Sequence, residues 1–250
     1  MAEPALALTA LRKSFGALVV TDDLSLSIEP GELHAVIGPN GAGKTTLINQ
    51  ISGLLLPDSG SIRFAGRDIT TMPAHARAKL GLARSFQVTS VLSGFSALEN
   101  VALAVQAHSS SSFRVVGDAA REEALNAPAH AALAEVGLAD RADVPAGHLA
   151  HGEKRALELA IALAADPKLL LLDEPMAGTG REETARLIAV LKKLKGRFAI
   201  MLVEHDMTAV FALADRISVM IYGHIVASGT PDAVRADPQV VAAYLGDEME

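Results

Sequence analysis

The chain has 250 residues, half of them hydrophobic and 20% charged, with a formal net charge of -7 and no cysteine. That size and composition suit one large α/β domain with a sizeable core, and they exclude intrinsic disorder. The acidic balance speaks against broad attraction to nucleic acid, and the missing cysteines exclude disulfides and thiolate metal sites.

Residues 1–16 lack a basic start followed by a long apolar run, so no secretory signal is expected there. The first 37 residues read as strands. Leu24, Leu26 and Ile28 alternate with Ser25 and Ser27, the pattern of a half-buried antiparallel strand. Pro30-Gly31 turns the chain. Ala35, Val36 and Ile37 form a short apolar run that ends in a glycine loop over 38–43. A helix is predicted over Lys44–Ser52, closed by Gly53. Pro57 and Gly60 bracket a loop before a strand at 62–64.

From 88 to 147 alanine becomes dense and strand signals fade. Ser109, Ser110, Ser111 and Ser112 form a short low-complexity loop. Residues 121–136 read as helical, with Pro128 arguing for a kink or break. This stretch is expected to be a helical insertion. Residues 154–165 predict a helix with Leu157, Ile161 and Ala164 on one face. Residues 169–172 are continuously apolar, as in a strand buried on both faces. A helix over 182–194 and a buried strand over Ala199–Val203 follow. Ile217, Val219 and Ile221 alternate, and Tyr222-Gly223-His224 turns towards Ile225 and Val226. Thr230 caps a last helix, with Pro231 at its first position. No apolar run reaches the roughly 18 residues of a spanning helix. The most tempting one, 157–172, is broken by Glu158, Asp166, Pro167 and Lys168.

Two motifs carry chemistry. Gly38-Pro39-Asn40-Gly41-Ala42-Gly43-Lys44-Thr45 fits the phosphate-loop spacing G-x-x-x-x-G-K-[ST], with a buried strand before it and a helix after it. Glycines let successive backbone N–H groups point at phosphate oxygens, and the helix N-terminus adds partial positive charge. Lys44 is expected to reach the β- and γ-phosphates, and the Thr45 hydroxyl to hold Mg²⁺. A bare glycine turn would explain Gly38 and Gly41, but not Lys44-Thr45 at this offset. Kinases, GTPases and motors share the loop, so it leaves the reaction open. Asp173 and Glu174 end the second apolar strand, which is expected to be buried beside the phosphate loop. At the carboxyl edge of the sheet, Asp173 would hold Mg²⁺ through water and Glu174 would polarise the attacking water. Alone, the pair would read as a solvated strand end. His205, after the next strand, would reach the γ-phosphate, and Gln87 would approach the metal or the water.

Together these segments resemble the ATP-binding cassette family over nearly the whole chain. Phe15 matches the aromatic that stacks on adenine. Gly38 through Thr45 and Thr46 match the Walker A loop, Gln87 the Q-loop, and Asp173-Glu174 the Walker B motif. His205 matches the switch histidine. Leu149-Ala150-His151-Gly152-Glu153 matches the signature that completes a partner's ATP site. The resemblance implies a P-loop NTPase of ABC type. Its α/β core would hold a mixed sheet with an N-terminal antiparallel β part and a helical subdomain at about 88–160. One ATPase domain would span 1–250.

The resemblance also implies ATP and Mg²⁺ as ligands, with Thr45, Gln87 and Asp173 around the metal, and Glu174, His205 and Gln87 as catalytic residues. A second cassette would pack head to tail around ATP. Permease subunits would carry the solute, and a periplasmic solute-binding protein would deliver it. No nucleic acid partner is implied, and the chain would lie at the cytoplasmic face of the cell membrane. The signature, 174–178 and Ala243-Tyr244-Leu245-Gly246 look like cassettes of branched-chain amino acid importers. Exporter cassettes and soluble ABC-type proteins are the competing readings. The sequence departs from the family where Ala150 replaces a serine, His151 a glycine, Glu153 a glutamine, and Gly180 an aspartate. A lost hydroxyl bond to phosphate is worth ~1.5–3 kcal/mol.

Overall fold

The computed structural model describes residues 3–85, 91–108 and 123–240. It divides into two compact units.

The first comprises Met1–Leu82, Lys168–Glu174 and Lys193–Glu250. Its N-terminal part is a four-stranded antiparallel sheet in the order β2-β1-β4-β5, from β1 (Leu6–Phe15), β2 (Leu18–Ile28), β4 (Ser59–Phe64) and β5 (Arg67–Asp68). Alternation puts Leu24, Leu26 and Ile28 of β2 in the core, as the pattern predicts. Gly60 lies within β4 rather than in the preceding loop.

The second sheet runs β10-β9-β3-β8-β7-β6. Its strands are β3 (Leu33–Ile37), β6 (Leu82–Arg84), β7 (Leu169–Asp173), β8 (Ala199–Val203), β9 (Arg216–Ile221) and β10 (His224–Gly229). β9, β3, β8 and β7 are mutually parallel, and β10 returns antiparallel through the Tyr222-Gly223 turn. Every residue of β3, β7 and β8 is buried, as expected of strands covered on both faces. β8 lies between β3 and β7. Chain order does not fix strand order in such a sheet.

The helix α1 (Lys44–Ser52) has the predicted bounds, because Gly43 and Gly53 both adopt left-handed conformations at its ends. The short helix α2 (Ala74–Lys79) escapes sequence reading. Its Arg77 is fully buried and donates to the carbonyls of Gln50, Ile51, Thr70 and Met72. It thereby serves the open C-terminal carbonyls of α1.

The second unit comprises Ala83–Pro167 and Pro175–Lys192. Helices α3 (Ala97–His108), α4 (Glu123–Glu135) and α5 (His151–Ala164) pack together, and most of α6 (Arg181–Leu194) belongs here. Ser96 and Glu99 close the start of α3 reciprocally, through Glu99 N–H to Ser96 Oγ at 3.1 Å and Ser96 N–H to Glu99 Oε2 at 2.7 Å. Of the kink or break that Pro128 suggests, the break does not occur: α4 runs through it. Buried Leu125, Ala129 and Leu133 dock it despite the lost backbone bond. α5 begins three residues before the predicted start, at His151.

Just before β3, burial raises the pKa of Glu32, but the nearby His34 ring and hydrogen bonds from Arg216 and the Glu29 N–H outweigh it and bring the carboxyl to about 2. Arg216 Nε lies 2.7 Å away and His34 Nδ1 3.2 Å. A depressed folded pKa means stability that is present above the unfolded value of 4.5 and lost as pH falls towards 2. Glu32→Gln should therefore cost about 2 kcal/mol at pH 7. In thermal melts across pH, the gap to wild type should close in acid. An equal gap at all pH values would contradict this.

Candidate functional site

The carboxyl ends of β3, β8 and β7 are level. Val36 pairs with Val203, and Val203 with Asp173. Each strand therefore delivers its next residues to one edge: the phosphate loop from β3, Glu204-His205 from β8 and Glu174 from β7. Ligands bind at this edge of such sheets.

The loop over 38–43 curls as the glycine spacing requires. Gly43 has φ 106, and a Cβ on Gly38 would run into the Met220 carbonyl of β9. Only glycine fits either place. The turn after β9 braces the loop, with Gly223 N–H donating to Ala42 O at 3.0 Å and Asp22 N–H to Gly223 O at 3.1 Å. No motif marks these supporting residues. Asn40, Gly41 and Thr45 are exposed, Pro39 and Thr46 half-buried, and Ala42 buried.

Lys44 is 8% exposed and folds over the loop, its Nζ donating to Gly38 O at 2.5 Å and Pro39 O at 3.0 Å. Burial is the largest influence and lowers its pKa, while the charges of Glu174 and Asp173 push it back up. Asp173 is buried at the end of β7. Glu174 follows in a left-handed conformation, φ 49, with its N–H on Val203 O at 2.9 Å. A non-glycine residue there stores backbone strain, which is concentrated at functional sites. His205 Nδ1 stands 4.0 Å from Glu174 Oε1.

Glu204, adjacent to His205, is a supporting residue that sequence reasoning passed over. Its buried carboxylate accepts the His205 N–H at 2.9 Å and the Asp206 N–H at 3.4 Å. Asp206 in turn caps α7 (Met207–Leu213) through the Ala209 N–H. Phe15 ends β1 half-exposed, with Lys13 Nζ 5.7 Å from its ring centre. Gln87 lies outside the described residues, as do 243–246.

In the second unit Leu149 is buried and Ala150 caps α5. With no hydroxyl on Ala150, Glu153 does the capping: its Oε2 accepts the Ala150 N–H at 2.9 Å, and Arg141 Nε holds its Oε1 at 2.9 Å. His151 is exposed, and its Nε2 lies 3.4 Å from Ala177 O. Gly152 sits in the first turn of α5, so its N–H has no partner four residues back.

A family model described as ABC transporter matches residues 21–177. The chain belongs to the ABC transporter family. It is an ATP-binding cassette, an ATPase with the mixed α/β P-loop fold that the sequence implies. A second model, branched-chain amino acid ATP-binding cassette transporter, matches residues 224–250 of the cassette. The cassette is 36% identical to the high-affinity branched-chain amino acid transport ATP-binding protein BraF of Pseudomonas aeruginosa, over 99% of this chain and 100% of that one. It is 35% identical to LivG of Salmonella typhimurium, named for the same transport, with the same coverage. Among solved structures it is similar to the ADP conformation of MJ1267, an ATP-binding cassette of an ABC transporter. The TM-score is 0.87 at 30% identity, covering 98% of the cassette and 100% of that chain. Among the described residues no helix is long and apolar enough to cross a membrane.

Proposed function

We propose that the cassette hydrolyses ATP at the 38–46 loop to power import of branched-chain amino acids or related small solutes through partner permeases. The observation that carries the chemistry is the shared register of β3, β8 and β7, which gathers Lys44, Asp173, Glu174 and His205 at one sheet edge. The solute is supported by the names of the full-length relatives and by the family match at 224–250.

In this reading Lys44 turns from the loop carbonyls to the β- and γ-phosphates, and Phe15 stacks on adenine. The backbone N–H groups over 38–46 take the phosphate oxygens. Glu174 accepts the proton of the attacking water, and His205 bonds the γ-phosphate. The Thr45 hydroxyl and Asp173 carboxylate are oxygen donors of the kind Mg²⁺ takes one or two at a time beside substrate phosphates, with Gln87 a third candidate. Bound there, Mg²⁺ would neutralise charge developing on those phosphates.

Leu149, Ala150, His151, Gly152 and Glu153 face the ATP of a second cassette, so that ATP forms part of the interface. Residues 88–160 form a helical subdomain of a single ATPase domain over 1–250. The cassette works at the cytoplasmic face of the membrane, and a periplasmic protein supplies the solute to the permeases.

Solubilising native-host membranes and isolating the tagged cassette tests this. Permeases and a solute-binding protein that takes leucine should co-purify. A permease of exporter type, or no membrane partner, would contradict it.

A further inference from the structure

The signature carries an acid where an anion is expected to land. Glu183, in the first turn of α6, holds its carboxylate against the backbone of Gly152. A Cβ placed on Gly152 would stand 2.5 and 2.6 Å from its two oxygens. The same carboxylate accepts the Gly180 N–H at 3.1 Å, in the segment after Walker B. Helix N-termini attract anions through their open N–H groups and dipole. At α5, Glu153 takes the Ala150 N–H, and Glu183 lies against Gly152 in the same first turn. A phosphate and a carboxylate at that spot repel one another.

We infer that Glu183 is a positioning residue that gates the signature. Its carboxylate, parked over Gly152 and held by the Gly180 N–H, must turn aside before the γ-phosphate of the partner's ATP can dock. The inference rests on the proposed ATP-bridged pairing of cassettes. Glu183 is half-buried, and a glutamate has several rotamers by which its carboxylate can turn. The loop keeps its shape without it, because Thr179 Oγ1 bonds Met176 O and Thr184 Oγ1, each at 2.8 Å. The gate sets a threshold, so that closure answers to ATP concentration rather than to trace nucleotide.

Two variants of the full-length chain, Glu183→Gln and Glu183→Ala, separate charge from structure when co-purified with the native membrane partners. The readouts are the ATP concentration giving half-maximal hydrolysis, kcat, and Mg-ATP affinity of the isolated chain. Glu183→Gln keeps an oxygen for Gly180 and loses the charge. It should lower the half-saturating ATP concentration roughly tenfold, ~1.4 kcal/mol, with unchanged affinity at its own phosphate loop. Glu183→Ala should move half-saturation in the same direction. A merely structural cap predicts that Glu183→Gln matches wild type while Glu183→Ala loses rate, and that result overturns the gate while leaving the transport reading intact. Failure of the wild-type chain to bind Mg-ATP would overturn both.

Discussion

Glu174→Gln should abolish ATP hydrolysis while leaving ATP binding in place. The geometry isolates the effect. Glu174 is fixed by its own N–H on Val203 O and by the end of β7, so an isosteric amide keeps the backbone and most contacts. What it loses is the ability to accept a proton. General bases contribute typically ~10²–10⁴-fold, and the rate should fall by at least the lower figure. Binding should persist or strengthen, because Lys44 is untouched and a negative charge near the phosphates is gone. Steady-state phosphate release beside equilibrium nucleotide titration reads both quantities. A rate within a few-fold of wild type would remove Glu174 as the base.

Lys44→Ala should weaken Mg-ATP binding by about 3 kcal/mol, more than a hundredfold, because a charge-assisted contact to phosphate is among the strongest a side chain makes. The unliganded protein should not suffer in proportion. The ammonium is desolvated, which lowers its pKa, and its removal relieves that cost while freeing the Gly38 and Pro39 carbonyls. Thermal melts distinguish the two effects. Without nucleotide, the variant should melt near wild type. With saturating Mg-ATP, wild type should gain stability and the variant should not. An equal ATP-induced shift would count against the phosphate-loop assignment.

The sequence was most informative where a local rule is strict. The bounds of α1 followed from a glycine at each end, and β3, β7 and β8 from short apolar runs. Gly38 and Lys44 were picked out by motif spacing, and Asp173, Glu174 and His205 as candidates by the company they keep. The structure brings Lys44, both carboxylates and His205 to one edge. Tertiary features were not legible. Nothing in the chain says that β8 separates β3 from β7, since pairing of parallel strands is decided by packing. α2 is anchored by Arg77 reaching carbonyls up to 27 residues away, which no periodicity announces. α4 continues through Pro128 with Leu125, Ala129 and Leu133 buried, a docking that its local sequence does not announce. The early start of α5 rests on Glu153 serving Ala150, a capping contact visible in sequence only as a replaced glutamine. Glu183 carried no motif at all, and its meaning comes from lying over Gly152.

Crystals of the Glu174→Gln chain grown with Mg-ATP would show where the triphosphate binds. The triphosphate should lie in the cradle over 38–46, with Lys44 Nζ moved from the loop carbonyls onto the β- and γ-phosphates and Thr45 and Asp173 as the residues that would hold the metal. Nucleotide density elsewhere on the chain, or Lys44 still held by Gly38 and Pro39 beside a distant triphosphate, would contradict it.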